Sequence, residues 1–509
     1  MADVTSRRLW IAAVALCVVF GTFCRFGMLG DPFGNDAGLY VGMGKVWVDG
    51  GQVYEDLWDT KLPGVVLLGG LPYAIFGSGW WGYLLTLFLL GTAAAWLLAV
   101  SAQRLAGQAV ALPTFVVAMV VIHHPRYLGS GFQIETPQVF FASLAAVGIA
   151  TILADPRRSL GWSLLVGIGA GLAAMTKPTG LSVAAGYAIA LSVMTFVLGT
   201  CDVRRWLQHG LVALGGIVLV TLGVAVWAWA EGMLPYMPFT WEQISLYGSG
   251  TPWSQVLVPK VPVLIALPLL PAIGLLTTRV FQRSDAPSTG DLRPAWIFAL
   301  TWFCFEVIGV VLQKRAYSYG FLPIVAPAAL LAGLAWHAAT TMPRLRLAGV
   351  GLPMVAVAGL AGMMALQDWR FFADTRGRSA VTDYVRANSD PTDMLYGDNT
   401  GRWCVLADRP PGARLGMMIH LINHDDAPRL FMDELLADLV DRKPPIVLRP
   451  IDVRQEDEIA RWERQPILRD NPQRRTDYRG AWNRYLSYLD KHYVYETDFD
   501  GMMVLRRKP

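Results

Sequence analysis

The sequence predicts a multi-pass α-helical membrane protein that ends in a small soluble α/β domain. Three observations carry this. Of 509 residues, 54% are hydrophobic and only 16% are charged, whereas a soluble chain carries about 25% charged residues. The shortfall is uneven: long apolar runs fill residues 1 to about 366, and the stretch 367–509 has ordinary soluble composition. In that last stretch short β-favouring runs alternate with helical patterns, the signature of an α/β fold.

Runs of about 18 or more apolar residues mark membrane spans. About eleven are expected, near residues 9–29, 80–100, 108–124, 136–154, 160–176, 179–200, 207–230, 260–278, 295–312, 320–339 and 347–366. The first, "LWIAAVALCVVFGTFCRFGML", follows "SRR" and has no small-x-small cleavage site. It reads as a retained anchor, not a signal peptide. The Gly- and Pro-rich run "LPGVVLLGGLPYAIFGSG" at 62–79 is expected to lie at the surface or re-enter without crossing.

Charge supports that topology. With an odd number of crossings and the N-terminus inside, Arg7, Arg8, Arg104, Arg157, Arg158, Arg204, Arg205, Arg279, Arg283, Arg293, Arg344 and Arg346 fall on the cytoplasmic side, as the positive-inside rule requires. A crossing at 62–79 would put most of them outside. The same topology places the loop of about 30–79 and the domain 367–509 outside the cytoplasm. In the tail, "DMLYG", "WCVLAD", "PPIVLRP", "HYVYET" and "GMMVLRR" are expected strands. "FMDELLADLVDRK", "EDEIARWERQ" and "AWNRYLSYLDKHY" are expected helices. The five cysteines are scattered and suggest no disulfide framework. A net charge of +4 with both signs mixed gives no reason to expect a nucleic-acid partner.

The outer loops are sparse in charge, yet what they have is clustered. The first carries Asp36, Lys45, Glu55, Asp56, Asp59 and Lys61, the second Arg126 and Glu135, and the third Lys177. The late loop "QKRAYSYG" carries Lys314, Arg315, Tyr317 and Tyr319, and Arg25 ends the first span. Charge at a membrane edge is costly unless paired or functional. Carboxylates beside several cations suit two tasks: a base that takes a proton, and a cradle for an anion that stays at the membrane surface. A polyprenyl phosphate is such an anion. Its tail would lie among the spans, and Lys and Arg would neutralise the charge that develops as a sugar departs.

Plainer roles are open to the same residues. Asp36 is placed to cap the helix of "AGLYVGMGKVWV", and Glu135 to cap a span. Lys61 could snorkel, and Asp56 and Asp59 flank Trp58 in a turn that they could simply hold together. Glu306 falls inside a span, and the aromatic-rich loop 231–253 suits an interfacial belt. His123 and His124 are adjacent, a poor geometry for binding one metal, and no other His or Cys spacing suggests a metal site. No cofactor is expected, a divalent cation beside the phosphate being the less favoured option.

The first outer loop, "DAGLYVGMGKVWVDGGQVYEDLWDTKLPG", resembles that of GT-C glycosyltransferases, in the branch of the protein O-mannosyltransferases and the lipid A aminoarabinose transferase. Bacterial members of that branch read D-x-G-x-Y and then G-x-x-Y-x-D-x-W-D-x-K-x-P-G. The match runs through Asp36, Gly38, Tyr40, Tyr54, Asp56, Trp58, Asp59, Lys61, Pro63 and Gly64. "GFQIETPQVFF" and "KRAYSYGFLPIVAPAALLAG" are similar to later outer loops of the family.

The resemblance implies a GT-C-like transmembrane catalytic domain over 1–366 and an extracytoplasmic domain over 367–509. It implies an inverting transfer from a polyprenyl-phosphate-linked sugar to a hydroxyl of an envelope lipid, glycan or protein, in a bacterial inner membrane. Asp36 would be the base and Glu135 the second acidic residue, orienting the acceptor. Lys61 would hold the phosphate, helped by Arg25, Lys177 or Arg315, with Asp56, Asp59, Tyr40, Tyr54 and Tyr319 lining the substrate site. Mannosyltransferases often have an Asp-Glu pair where this chain has Asp36-Ala37, which weighs against a protein acceptor. The rival class is a transporter or flippase of lipid-linked intermediates. Transporters place charge near the bilayer midplane in two repeated halves, whereas here it gathers on one face and no half-repeat is visible.

Overall fold

The computed structural model describes residues 2–26, 35–124, 132–246, 292–313, 318–340, 377–450, 460, 466–469, 471–499 and 501–509. The membrane part runs α1 (Ala2–Phe26), α2 (Asn35–Val48), α3 (Pro63–Phe76), α4 (Trp80–Ala106), α5 (Ala111–Ile122), α6 (Glu135–Ala154) and α7 (Gly161–Thr176), then α8 (Ser182–Phe196), α9 (Val203–Ala230), α10 (Met237–Leu246), α11 (Arg293–Leu312) and α12 (Val325–Thr340). Among the described residues, six segments are long and apolar enough to cross a bilayer: Trp81–Ala106, Glu135–Ala154, Pro178–Phe196, Val203–Ala230, Arg293–Leu312 and Tyr319–Ala338. The apolar helices Trp10–Phe26, Gln108–Ile122 and Gly161–Thr176 are shorter; at 1.5 Å per residue, 16 residues reach about 24 Å of a core about 30 Å thick. The expected spans near 260–278 and 347–366 lie outside the described residues.

The run at 62–79 forms α3, a 14-residue helix that starts on Pro63, where a missing N–H costs nothing. Burial ranks the bundle from centre to rim: 72% of the α6 span is buried, against 17% of α9. Small residues let α6, α7 and α9 approach closely. A Cβ on Gly167 would sit 2.0 Å from the Ala213 carbonyl oxygen and one on Gly216 2.9 Å from Gly167 Cα, the packing that serves where lipid offers no hydrophobic drive.

α2 is the pivot between bundle and tail. A Cβ on Gly44 would fall 2.2 Å from Gly70 N, and one on Gly38 would fall 2.4 Å from Arg402 Cβ. One side of α2 therefore lies against α3, and the other against the tail.

The tail contains α13 (Gly377–Ala387), β1 (Leu395–Gly397), α14 (Thr400–Ala407), α15 (Ala427–Arg442), β2 (Ile446–Pro450), α16 (Pro472–His492), β3 (Tyr493–Phe499) and β4 (Met502–Arg507). The strands form one sheet in the order β1-β2-β4-β3, with β1 parallel to β2, Tyr396 opposite Val447, and β4 antiparallel to both its neighbours. Strand alternation sorts β2: Ile446 and Leu448 pack with Val381, Val385 and Trp403, while Val447 joins Phe431, Leu435 and Trp482. Helices thus cover both faces. One expectation is corrected: "WCVLAD" is not a strand but most of α14. Its β-leaning residues lie on a helix wedged against α2, so tertiary packing overrides propensity. The stretch "EDEIARWERQ" lies outside the described residues, apart from Ala460.

Candidate active site

Asp36, Asp59, Lys61, Glu135 and Lys177 gather at one end of the bundle. Asp36 lies in the first turn of α2, half-buried. Its Oδ2 accepts a hydrogen bond from Tyr319 Oη, 283 residues further on. One turn along, the Tyr40 ring lies 5.2 Å from Lys61 Nζ. Tyr40 also packs with Val65 and Ile134, which brings the start of α6 beside the start of α3.

Lys61 and Lys177 repeat one motif. Lys61 Nζ donates to Asp59 Oδ2 at 3.1 Å, and Lys177 Nζ donates to Glu135 Oε1 at 3.0 Å. Both carboxylates are buried, at 2% exposure, while the lysine side chains keep 25% and 18% of theirs. Burial alone would raise the Asp59 pKa; Lys61, with His420 beside it, holds it well below the usual carboxylate range.

Backbone geometry draws the lysines together. A Cβ on Gly64 would stand 2.4 Å from the Met175 carbonyl oxygen, so only glycine lets the "KLPG" turn abut the end of α7, two residues before Lys177. The loop before Lys61 is locked as well. Tyr54 takes a left-handed backbone (φ 69°), a costly conformation for a bulky residue. Its Oη donates to the Lys61 carbonyl at 2.6 Å, and its own carbonyl accepts from Arg414 Nε at 2.6 Å.

The other expected site residues divide. Arg25 is fully buried and ties three helix ends together, donating to His123 Nδ1 at 3.1 Å, the Ile122 carbonyl at 3.3 Å and Thr136 Oγ1 at 3.2 Å. That makes His123 an acceptor for Arg25. Asp56 belongs to the loop frame: it accepts from Gln52 N at 2.8 Å and pairs with Arg442 at 3.4 Å. Arg126 and Arg315 lie outside the described residues. Glu306 is buried deeper in the bundle, where Ser182 and Trp302 donate to its Oε1. Among the described residues no group of three or more His, Cys, Asp or Glu could hold a metal ion.

Sequence reasoning missed the contribution of the tail. Trp58 N donates to the Arg414 carbonyl at 2.8 Å, and Trp58 Nε1 donates to Thr240 Oγ1 at 3.2 Å. His420 Nε2 lies 3.1 Å from Asp59 Oδ1. Lys45, buried on α2, donates to Asp408 Oδ1 at 2.8 Å and to Tyr73 Oη at 3.0 Å. Burial works to lower the Lys45 pKa, but these partners and Asp49 raise it above the ordinary lysine value. No spacing signal links residues some 360 positions apart.

Known proteins share this fold. Residues 61–229, 169 of the 509, match the family model described as dolichyl-phosphate-mannose-protein mannosyltransferase. A search of curated proteins finds no match. Among solved structures, ArnT from Cupriavidus metallidurans bound to undecaprenyl phosphate is similar with a TM-score of 0.60 at 17% identity, covering 97% of each chain. The oligosaccharyltransferase AglB from Archaeoglobus fulgidus, in complex with an inhibitory peptide and a dolichol phosphate, is similar with a TM-score of 0.58 at 13% identity. That similarity covers 97% of this chain and 74% of AglB. The chain thus shares the fold of these structures along nearly its whole length, and the segment across its central spans matches the mannosyltransferase family model.

Proposed function

We propose that the enzyme is an inverting glycosyltransferase that moves a sugar from a polyprenyl-phosphate donor to a hydroxyl of an envelope lipid, glycan or protein. Residues 1–366 form the catalytic membrane domain, with the N-terminus cytoplasmic and residues 367–509 on the outer face of a bacterial inner membrane. The observation that carries this reading is the pair of part-exposed lysines on buried carboxylates, set beside Asp36 at one end of the bundle. Two cations held on fixed counter-charges form a preorganised seat for a phosphate, and preorganised charge supplies most of the rate enhancement in many enzymes. ArnT and AglB, in the structures cited, hold polyprenyl phosphates, ligands of this class.

The steps follow from the geometry. Asp36, steadied by Tyr319, takes the proton of the acceptor hydroxyl. The acceptor oxygen attacks the anomeric carbon, and the bond from that carbon to the phosphate oxygen breaks. The polyprenyl phosphate leaves as an anion beside Lys61 and Lys177. Arg25 fixes the helix ends, and Glu135 holds Lys177 through Oε1, leaving Oε2 to orient the acceptor. No metal enters the scheme.

The test is release or transfer of sugar from a panel of radiolabelled polyprenyl-phosphate sugars by the purified protein. Asp36→Asn is expected to lower turnover by about 10²- to 10⁴-fold, the range for a general base, with the thermal midpoint preserved. Turnover that survives the substitution overturns the assignment of Asp36.

A further inference from the structure

Helix α14 of the tail touches α2 backbone to backbone. A Cβ on Gly42 would fall 2.5 Å from Gly401 Cα, and one on Gly401 would fall 2.8 Å from the Gly38 carbonyl oxygen. Asp36 precedes Gly38 by two residues, in the first turn of α2. The far end of α14 is closed by Asp408, in a left-handed backbone conformation (φ 54°). Its Oδ1 accepts from Lys45 Nζ of α2 at 2.8 Å and from Tyr73 Oη of α3 at 3.2 Å. Lys45, its side chain buried, also donates to Tyr73 Oη at 3.0 Å. One carboxylate oxygen therefore fastens three helices, two from the membrane part and one from the tail.

We infer that Asp408 is a positioning residue for Asp36, fixing α14 as a splint along α2 that sets where the base points. This rests on the reading of Asp36 given above. From Tyr40 onward α2 is gripped by α3, since a Cβ on Gly69 would fall 2.2 Å from the Tyr40 carbonyl oxygen and one on Gly44 would fall 2.2 Å from Gly70 N. Its first turns are covered by α14, through Gly38 and Gly42. α14 has only eight residues, about 12 Å of helix, so it moves as one rigid piece. Remove the Asp408 carboxylate, and Lys45 turns to Asp49 on its own helix. The end of α14 then loses this tie to α2 and α3, and the glycine contacts pass its tilt to the first turn of α2. Asp36 shifts from the acceptor proton. Lys61 and Lys177 are held elsewhere, by Asp59, Glu135 and the contact of Gly64 with Met175, so the donor seat keeps its shape. The outer domain is thereby part of the machinery that aims the base.

The experiment measures kcat and donor KM for full-length protein in nanodiscs, with the radiolabelled polyprenyl-phosphate sugars as probes. The variants are Asp408→Gly, which removes the carboxylate and suits the left-handed backbone, and Asp408→Asn, which keeps an oxygen to accept from Lys45 and Tyr73. Each is made with Asp36 present and in the Asp36→Asn background, and thermal midpoints are recorded for all. Asp408→Gly is expected to lower kcat about tenfold, part of what a misplacement of about 1 Å can cost, and to leave donor KM unchanged. Asp408→Asn should recover most of the loss. In the Asp36→Asn background Asp408→Gly should add no further loss, because the base it aims is already gone. An equal loss in both backgrounds, a rise in donor KM in place of the fall in kcat, or wild-type kcat in Asp408→Gly overturns the inference. If Asp408→Gly does not fold, Lys45→Met breaks the same tie from the side of α2 and is read in the same two backgrounds. A wild-type protein that turns over none of the donors overturns the glycosyltransferase reading and this inference with it, a result distinct from failure of the inference alone.

Discussion

Gly64→Ala perturbs the lysine seat without touching any charge. The added Cβ would lie 2.4 Å from the Met175 carbonyl oxygen and 2.9 Å from Met175 C and Cβ, where ordinary contact begins at 3.4 Å. The shortfall is 3.4 − 2.4, about 1 Å, and it is against backbone, which cannot swing aside. Either the start of α3 moves, carrying Lys61, or the end of α7 moves, carrying Lys177. Both widen the seat by a distance of that order. Overpacking of this kind costs about 1–3 kcal/mol, which a large bundle tolerates, whereas a misplacement of about 1 Å can cost on the order of 10² in rate. The expected result is a folded protein with a modestly lower thermal midpoint and turnover of the polyprenyl-phosphate sugar down roughly 10²-fold. Gly215→Ala is the control: no atom lies within 4 Å of its added Cβ, and alanine should favour the helix by up to about 1 kcal/mol. Wild-type turnover in Gly64→Ala would refute the reasoning, because the spacing of Lys61 and Lys177 would then not matter.

Three further outcomes can be checked. Tyr319→Phe removes a hydrogen bond to a charged group, worth about 1.5–3 kcal/mol; kcat should fall about tenfold or more while the donor KM stays unchanged. Lys177→Met leaves Glu135 buried and uncompensated, and breaking such a pair costs about 3–5 kcal/mol. Adding Glu135→Gln should restore most of the thermal midpoint in a melting assay but none of the turnover. Asp59 governs acid behaviour. Its folded pKa lies below the ordinary carboxylate value, so its contribution to stability is fully present above about pH 3.9. That contribution is lost as the pH falls further. Thermal midpoints of wild type and Asp59→Asn measured from pH 7 to pH 3 should therefore differ at the high end and converge toward the low end.

The amino-acid sequence by itself determined the class of protein. Apolar runs of span length mark a membrane protein from composition and order alone. The loop "YEDLWDTKLPG" announced its lysine and carboxylates because charge at a membrane edge needs a reason. The apolar β-favouring run of "PPIVLRP" and the helical pattern of "FMDELLADLVDRK" were equally local signals, and both elements formed as expected. "WCVLAD" showed the limit: an apolar run this short fits strand or helix, and contact with Gly38 and Gly42 of α2 decided for helix.

Partnership was what only the tertiary structure decided. Asp36 with Tyr319, Glu135 with Lys177, and Asp59 with His420 are separated by 283, 42 and 361 residues. No period or spacing connects them. Each pair exists because helix ends from distant parts of the chain are packed to one level by small residues, and because the tail folds back over the first loop. Charge is written into the sequence residue by residue, but which charge answers which depends on distances of about 3 Å, and those are set by packing alone.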